Sequence, residues 1–127
     1  MPLVNMLKSK IHRARITGLS LEYEGSITID SHLMAKAGLL PYEQVEVLNL
    51  NNGARFFTYA IKGKENSGQV CLNGAAARLA RKGDIAIILA YCQIDADEAA
   101  TFSPRLVYVD SQNRITRVKY AIDTISS

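Results

Sequence analysis

Short apolar segments separated by turn sequences run through most of the 127 residues, and this pattern most constrains the fold. Extended segments are predicted at residues 6–17, 19–23, 26–29, 45–50, 55–61, 69–72, 85–91, 106–109 and 114–122. Asn52-Gly53 separates one pair of them and Ser111-Gln112-Asn113 another, and such residues readily form hairpin turns. We therefore predict one all-β domain over residues 1–127, mainly β with short helices, closed or nearly closed into a β-barrel.

Two short helices, and a single helical turn over residues 95–100, are predicted within this β pattern. Asp30 or Ser31 begins the first, and Gly38 suits the left-handed residue that ends it. Asn73 is predicted to cap a second, Ala-rich helix that runs toward Arg81. Because helices connect some of the strands, we expect parallel as well as antiparallel pairing.

The first extended segment carries most of the clustered positive charge. Strict alternation there places Lys10, His12 and Ala14 on one face and Ile11 and Arg13 on the other. The whole chain has 15 Lys and Arg against 12 Asp and Glu, a net charge of +3. An excess this small fits an anionic substrate, a nucleic acid or a solvated face, and charge alone favours the solvated face.

Composition excludes several protein classes. Hydrophobic residues make up 48% and charged residues 21% of the chain, as in ordinary globular proteins. No run approaches the ~18 apolar residues of a membrane helix, and the N-terminal segment lacks the order of a signal peptide, so we expect a cytoplasmic protein without membrane contact. Cys71 and Cys92 lie in apolar segments and are interpreted as small buried residues, and no Cys/His cluster has metal-ligand spacing.

The pair Gly25-Ser26 stands between two extended segments, where it is most simply a turn. A chemical role is also open to it. If the backbone at Gly25 is strained, the Ser26 hydroxyl can attack the preceding carbonyl and convert the peptide bond into an ester. Elimination and hydrolysis then leave a pyruvoyl group, a ketone that accepts electrons from an amine substrate as pyridoxal phosphate does. The pair alone does not decide between these interpretations.

Three further segments carry groups suited to an anionic substrate. Arg55 offers a planar fork of donors to a carboxylate, and Tyr59 offers a phenol that can donate a proton. The segment Asn73-Gly74-Ala75-Ala76 can present free backbone N–H groups at a helix start. Lys10 and His12 are two proton-bearing side chains on one strand face. Each segment also has a purely structural interpretation, as a hairpin, a packed helix or a solvated strand.

Together these segments form an ordered set that covers nearly the whole chain. The motifs are Met6-Leu7-Lys8-Ser9-Lys10-Ile11-His12-Arg13-Ala14, Tyr23-Glu24-Gly25-Ser26, Asn52-Gly53 with Arg55-Phe56 and Thr58-Tyr59-Ala60-Ile61, and Asn73-Gly74-Ala75-Ala76-Ala77 with Gly83-Asp84-Ile85. In this order and spacing the chain resembles the bacterial pyruvoyl-dependent aspartate 1-decarboxylases. The resemblance implies a double-psi β-barrel, a homotetramer with active sites between subunits, and a lyase that converts L-aspartate to β-alanine and CO₂ for pantothenate and coenzyme A synthesis.

The resemblance also implies a zymogen that cleaves itself at Gly25-Ser26. Residues 1–25 become the β chain and residues 26–127 the α chain, and Ser26 becomes a covalent pyruvoyl group that forms a Schiff base with the substrate. No metal and no pyridoxal phosphate are expected. Some relatives need an accessory activator of self-cleavage, so a partner of this kind stays open.

Residue roles follow from the same resemblance. Ser26 is expected to be the cleavage nucleophile and then the Schiff-base group, and Tyr59 to reprotonate the carbanion at Cα. Arg55 is expected to hold the side-chain carboxylate of the substrate, with Lys10 assisting. The α-carboxylate then lies in a less solvated position, from which it is more easily lost as CO₂. His12 is either a neighbour of the pocket or structural. The other substrate-binding residues implied are Thr58, which also stabilises the oxyanion during processing, Asn73, Gly74, Ala75 and Ala76.

Some features depart from the family pattern. Members often have an aromatic residue where this chain has Leu48, and a Lys where it has Ala54, which bears on pocket shape and processing rate. On an ideal strand Arg55 and Tyr59 share a face about 13 Å apart, whereas Thr58 points the other way. A bulge, or contributions from two subunits, must therefore bring these three side chains to one site.

Two other functions are open to a small basic barrel. One is binding of single-stranded nucleic acid, with Arg55, Phe56, Phe57 and Tyr59 as a stacking platform; such a protein stays uncleaved and binds in a salt-sensitive way. The other is an interaction protein on a decarboxylase-like barrel that releases no CO₂ from aspartate. The motif order favours the self-processing lyase, for which we expect no nucleic-acid partner.

Overall fold

A computed structural model describes residues 2–122, in which nine strands and three short helices are found. The strands are β1 (Leu3–Arg15), β2 (Gly18–Ser20), β3 (Ser26–Asp30), β4 (Gln44–Asn49), β5 (Arg55–Gly63), β6 (Val70–Asn73), β7 (Ile85–Asp95), β8 (Arg105–Val109) and β9 (Ile115–Lys119). The helices are α1 (Ser31–Ala37), a 3₁₀ helix (Gly74–Leu79) and α2 (Ala96–Ala99). The predicted single, mainly β domain with short helices is confirmed.

All nine strands belong to one mixed sheet with the order β2-β6-β3-β5-β4-β7-β1-β8-β9. Pairing is parallel between β1 and β8, β2 and β6, and β3 and β5, and antiparallel elsewhere in the order. Both predicted hairpins form, and their turns contain Gly53 at φ 77° and Asn113 at φ 61°. The expected mixture of parallel and antiparallel strands is therefore confirmed.

A single hydrophobic core binds this sheet together. Its members come from strands near both ends of the strand order, such as Leu72 on β6 and Val107 on β8, and both are fully buried. One cluster shared by distant strands requires a sheet that curves around it, which is consistent with the expected barrel. Burying each large aliphatic side chain of this kind contributes about 1.5–3 kcal/mol.

The strict alternation predicted for the first strand is wrong beyond Ile11. Ile11 and Ala14 are both fully buried, so Ala14 shares the inner face rather than lying with Lys10 and His12. The β1–β7 register shifts between Ile11 and Ala14, and Arg13 takes a positive φ of 64° there. This bulge adds one residue to the strand and moves every later side chain to the opposite face.

One helix prediction is confirmed and the other is partly wrong. In α1 the Asp30 side chain accepts a hydrogen bond from the His32 N–H at 2.8 Å, and Gly38 ends the helix at φ 74°. The Ala-rich segment forms only a 3₁₀ helix that ends at Leu79, short of Arg81. Asn73 precedes that helix, but its side chain makes no capping hydrogen bond. Among the described residues no helix is long and apolar enough to cross a membrane.

Candidate active site

The predicted cleavage position lies where an exposed turn enters a buried strand. Gly25 is exposed, whereas Ser26, the first residue of β3, is only 3% exposed. Ser26 therefore has its hydroxyl inside the protein while the carbonyl that it is expected to attack belongs to a solvent-facing glycine. A Cβ added at Gly25 would meet nothing within 4 Å, so this glycine borders open space.

Asn73 holds the Ser26 hydroxyl. β3 and β6 pair antiparallel with Ser26 directly opposite Asn73, and Asn73 Nδ2 donates to Ser26 Oγ at 2.8 Å. The same nitrogen donates to Thr28 Oγ1 at 2.9 Å. Asn73 was expected to cap a helix with its side chain. It is instead the last residue of β6, and its side chain is directed across the sheet toward the neighbouring strand β3.

Gly74 lets the backbone that follows Asn73 approach the cleavage position closely. It has φ 66°, and a Cβ added there would lie 2.7 Å from both Cα and N of Gly25. No side chain fits that space without moving the turn. Gly74 is itself buried, so in the uncleaved chain its place is beneath Gly25 rather than on an open ligand surface.

A cavity of about 560 Å³ opens beside the Ser26 hydroxyl. Tyr59 reaches it because β3 and β5 pair in parallel with Ile27 opposite Ala60, which brings the preceding residues, Ser26 and Tyr59, side by side. The lining residues are Ser20, Tyr23, Glu24, Ser26, Thr28, Tyr42, Tyr59, Ile61, Lys62, Gln69, Cys71 and Asn73. The predicted nucleophile, proton donor and supporting amide therefore share one cavity.

A second cavity, of about 370 Å³, lies on the Gly25 side of the same bond. Its walls are Gly25, Phe56, Phe57, Thr58, Tyr59, Ala75, Ala76 and Leu79. Thr58 and Tyr59 are neighbours on β5, yet both reach this cavity, and Tyr59 also lines the first one. Thr58 lines only this second cavity and not the one that contains Ser26, which is consistent with the opposite direction expected for it on an ideal strand.

Lys10 and Arg55, the two expected carboxylate-binding residues, lie apart from both cavities in one chain. Lys10 is on β1, between Leu89 of β7 and Leu106 of β8. Arg55 is exposed at the start of β5, opposite Leu48. Neither lines the cavity that contains Ser26. β4 and β5 pair without a register shift, so the bulge invoked as one way to unite Arg55, Thr58 and Tyr59 is not found in this strand pair.

His12 lies among positive and aromatic groups at the β1–β8 contact. Its ring centroid is 5.2 Å from the centroid of the Tyr108 ring. The side chains of Arg117 and Lys119 lie over the Tyr108 ring, 5.1 and 5.4 Å from its centroid. Burial and then the positive charges of Lys10 and Arg13 lower the pKa of His12. Its Nδ1 is buried without a hydrogen-bond partner in the described part of the chain.

Several residues that line the Ser26 cavity were not predicted from the sequence. Thr28 and Cys71 could have been found from period-two spacing alone, since they stand two positions from Ser26 and Asn73 on the same faces of paired strands. Tyr42 carries no such signal. It lies in a turn at φ 70°, an uncommon conformation for an aromatic residue, and its ring is 6.4 Å from that of Tyr59.

The side chains hydrogen-bonded around Ser26 are uncharged, although Glu24 and Lys62 also line the cavity. Burial raises the pKa of the Cys71 thiol, so the thiol stays protonated and can donate, and its Sγ lies 3.5 Å from Asn73 Oδ1. Cys71 and Cys92 are half-buried free cysteines, not the fully buried residues predicted. Residues 2–122 contain no group of three or more His, Cys, Asp or Glu side chains that could hold a metal ion.

Comparison with known proteins agrees with this geometry. The family model described as aspartate decarboxylase matches residues 2–116. A protein named aspartate 1-decarboxylase from Dehalococcoides mccartyi is 62% identical over 117 residues, which cover 92% of this chain and 94% of the relative. Proteins of the same name from Syntrophotalea carbinolica and Clostridium botulinum are 58% and 53% identical, over 90% and 91% of this chain and 87% and 91% of theirs.

These matches cover nearly the whole length of this chain and of each relative. Residues 2–116, which the family model matches, include every motif on which the resemblance rested. They do not favour the alternative of a single-stranded nucleic-acid binding module. The chain belongs to the aspartate decarboxylase family.

Proposed function

We propose that this chain is a self-cleaving, pyruvoyl-dependent lyase that converts L-aspartate to β-alanine and CO₂. One observation carries the proposal: a buried serine hydroxyl, held by Asn73 at 2.8 Å, follows an exposed glycine whose backbone is closely packed against Gly74. An ordinary turn serine is solvated and needs no such support. β-Alanine produced in this way is the product expected for pantothenate and coenzyme A synthesis.

The residues around Ser26 fit a pyruvoyl group at that position. Such a group is a small, neutral, planar dicarbonyl unit that replaces a serine and needs hydrogen-bond donors rather than a counter-charge. Asn73 Nδ2 would supply a donor beside residue 26, and Thr28 adds a neutral hydroxyl. None of these three side chains carries a charge that such a group must neutralise.

Self-cleavage follows from the position of the Ser26 hydroxyl. Ser26 Oγ bonds to the Gly25 carbonyl carbon and loses its proton, while the Gly25–Ser26 C–N bond breaks and the nitrogen gains a proton, which gives an ester. Removal of the Ser26 α-proton then expels the Gly25 carboxylate and leaves dehydroalanine. Addition of water and loss of ammonia yield the ketone, with no external oxidant or reductant needed. Thr58 lines the cavity on the Gly25 side and is placed to stabilise the oxyanion.

In the mature protein the chain's own residues bind and protonate the substrate. When present, the pyruvoyl group supplies the electron-accepting carbonyl that joins the substrate amine. Tyr59 lines both cavities next to residue 26, so its phenol is placed to donate a proton to Cα after CO₂ has left. Asn73, Ala75 and Ala76 line the remaining walls, and Gly74 gains access to substrate once the Gly25 end is released.

Carboxylate recognition requires a second copy of the chain. Lys10 and Arg55 carry the positive charge suited to a dianionic substrate, yet they lie outside both cavities of their own protomer. A homotetramer with active sites between subunits brings such residues to a neighbour's Ser26. Leu48 lies directly opposite Arg55, so a smaller side chain than the family's aromatic residue leaves more room around the guanidinium. A cytoplasmic location and an activator of cleavage both stay predictions.

Intact mass under denaturing conditions tests this proposal. We expect two fragments that meet at Gly25/Ser26, the larger with a blocked, carbonyl-containing N-terminus, and release of CO₂ and β-alanine from L-aspartate. D-aspartate serves as the matched control and should release none. A single species of 14.0 kDa that persists after heating and after addition of cell extract contradicts self-cleavage. Cleaved protein without CO₂ release instead supports the inactive-barrel alternative.

A further inference from the structure

We propose that Thr28 and Cys71 are positioning residues for self-cleavage, which together hold the Asn73 carboxamide with its NH₂ group toward the Ser26 hydroxyl. The inference rests on the proposed function at Ser26. It deepens that function by assigning a task to two cavity-lining side chains to which no role is otherwise given.

Four side chains form a square on one face of the β3–β6 pair. Ser26 stands opposite Asn73, and Thr28 stands opposite Cys71. Alternate residues of a strand share a face, so the four side chains project to the same side, and all four line the 560 Å³ cavity. The square therefore brings two hydroxyls and a thiol around a single carboxamide.

The orientation of that carboxamide decides what Ser26 receives. Its two ends differ, since Nδ2 donates two hydrogen bonds and Oδ1 only accepts. A hydroxyl both donates and accepts, so Ser26 by itself can pair with either end. If the amide were reversed, Oδ1 would accept the Ser26 hydrogen and place it on the amide side, and the oxyanion formed on proton loss would face another oxygen.

Cys71 supplies the asymmetry that the two hydroxyls lack, and Thr28 then holds the NH₂ group as its second acceptor. Thr28 Oγ1 accepts the second Nδ2 hydrogen at 2.9 Å, and the Cys71 thiol lies 3.5 Å from Oδ1 as a donor. Burial keeps that thiol protonated. In the reversed orientation the NH₂ group would face sulfur, which is a weak acceptor. Both Nδ2 hydrogens and one Oδ1 lone pair are thus used in the observed orientation.

Burial makes this arrangement consequential. Asn73 is 4% exposed, so water does not replace a lost partner easily. Without the Thr28 hydroxyl, one Nδ2 hydrogen is unsatisfied, and the amide is free to turn away from Ser26 to recover a bond. The nucleophile then keeps its place in the strand but loses the donor that orients it and stabilises its developing negative charge.

The test follows cleavage of freshly purified, uncleaved chains by intact mass over time. The informative pairs are Thr28→Val against Thr28→Ser, and Cys71→Ala against Cys71→Ser. We expect Thr28→Val to slow cleavage by about tenfold and Cys71→Ala by about threefold, because neutral hydrogen bonds of this kind have modest net strength. Thr28→Ser keeps the accepting hydroxyl and should stay within about twofold of the wild-type rate. Cys71→Ser replaces a weak acceptor with a hydroxyl that suits either amide end, so it should slow cleavage as Cys71→Ala does.

Matched controls separate positioning from packing. Thr116→Val makes the same chemical change on the exposed strand β9, and Cys92→Ala does so on β7 at a cysteine outside the Ser26 cavity. Neither should alter the cleavage rate. A role in packing alone predicts that Thr28→Ser, which lacks the methyl group, is slowed at least as much as Thr28→Val, which keeps the side-chain shape, whereas positioning predicts rescue by Ser.

Each outcome decides one question. If the wild type cleaves and Thr28→Val cleaves at the same rate, Thr28 has no positioning role while the proposed function stands, and the same holds for Cys71→Ala. Equal slowing of Thr28→Val and Thr28→Ser also overturns the inference. If the wild type itself never cleaves, the proposed function and this inference fail together.

Discussion

Two buried polar side chains in this barrel, Asp30 and Asn73, are held in opposite ways. Asp30 is 3% exposed and accepts hydrogen bonds from three backbone N–H groups, those of His32, Asn66 and Gly68, at 2.8, 3.0 and 2.8 Å. Asn73 is buried to the same degree, but its side-chain bonds go to other side chains. Two equally buried side chains therefore have different kinds of hydrogen-bond partner: backbone groups for Asp30 and other side chains for Asn73.

The difference separates a structural centre from a chemical one. Backbone donors cannot leave without unfolding a segment, so Asp30 ties the start of α1 to the turn before β6 and gains stability from doing so. Hydroxyl and thiol partners can move protons and change bonding without any change in backbone. A buried polar group that bonds only to reactive side chains therefore marks the site, and one that bonds only to backbone marks the scaffold.

The largest expected effect comes from removing the nucleophile itself. Ser26→Ala should abolish cleavage and decarboxylation together, because without the attacking oxygen no ester forms and no pyruvoyl group can be made. The fold should persist at a cost of about 1–3 kcal/mol for the donor left on Asn73. Intact mass and a thermal melt check both parts. CO₂ release from an uncleaved Ser26→Ala chain would exclude the pyruvoyl mechanism.

Tyr59→Phe should separate the two reactions of the site. We expect complete cleavage but a kcat lower by about 10²–10⁴, since loss of a positioned proton donor has effects of this size. Turnover is measured per cleaved chain at saturating aspartate. Tyr120→Phe, the same change at an exposed position near the end of β9, is the control and should leave kcat unchanged. Equal turnover in the two variants would assign the proton to another group.

Asp30→Ala should damage the scaffold and spare the chemistry. Three backbone donors lose their acceptor at once, and we expect a loss of about 3 kcal/mol in the free energy of unfolding. Urea unfolding in the Ser26→Ala background measures it on intact chains. Asp110→Ala removes two similar backbone bonds at a fully exposed site and should cost less. Arrested cleavage in folded Asp30→Ala chains that retain Ser26 would erase the distinction between the two centres.

Gly74→Ala should have the smallest of these effects. It should lower stability, as a change at Asp30 does, and slow cleavage, as a change near Ser26 does. Its Cβ meets Gly25 at 2.7 Å and its φ is 66°, so we expect a loss of about 1–3 kcal/mol in stability together with slower cleavage. Gly83→Ala has φ 95° but nothing within 4 Å of the new Cβ. It therefore reports the cost of the backbone conformation alone. Identical behaviour of the two variants would show that contact with Gly25 does not matter.

The sequence predicted which residues belong to the candidate site better than it predicted how those residues are arranged. Ser26, Thr58, Tyr59 and Asn73 meet around two cavities as expected, whereas the helix-capping role given to Asn73 was wrong. A capping bond is a local rule, and here it lost to a partner across the sheet. Period-two spacing could have placed Thr28 on the face of Ser26 and Cys71 on the face of Asn73, but only the pairing of β3 with β6 brings the two pairs together.

The sequence by itself determined what depends on neighbours along the chain. The hairpin turns, α1 with its Asp30 cap and Gly38 end, and the mainly β class all follow from φ preferences and period-two patterning over a few residues. These preferences act before any distant contact forms, so local sequence suffices to predict them.

Only the tertiary structure decided which residues share a site. Ser26 and Asn73 are 47 positions apart, and their pairing depends on the register of β3 against β6. The bulge at Arg13, which turned Ala14 inward, likewise follows from burial of the whole core. Register is set by how all strands together bury their apolar faces, and no short segment contains that information.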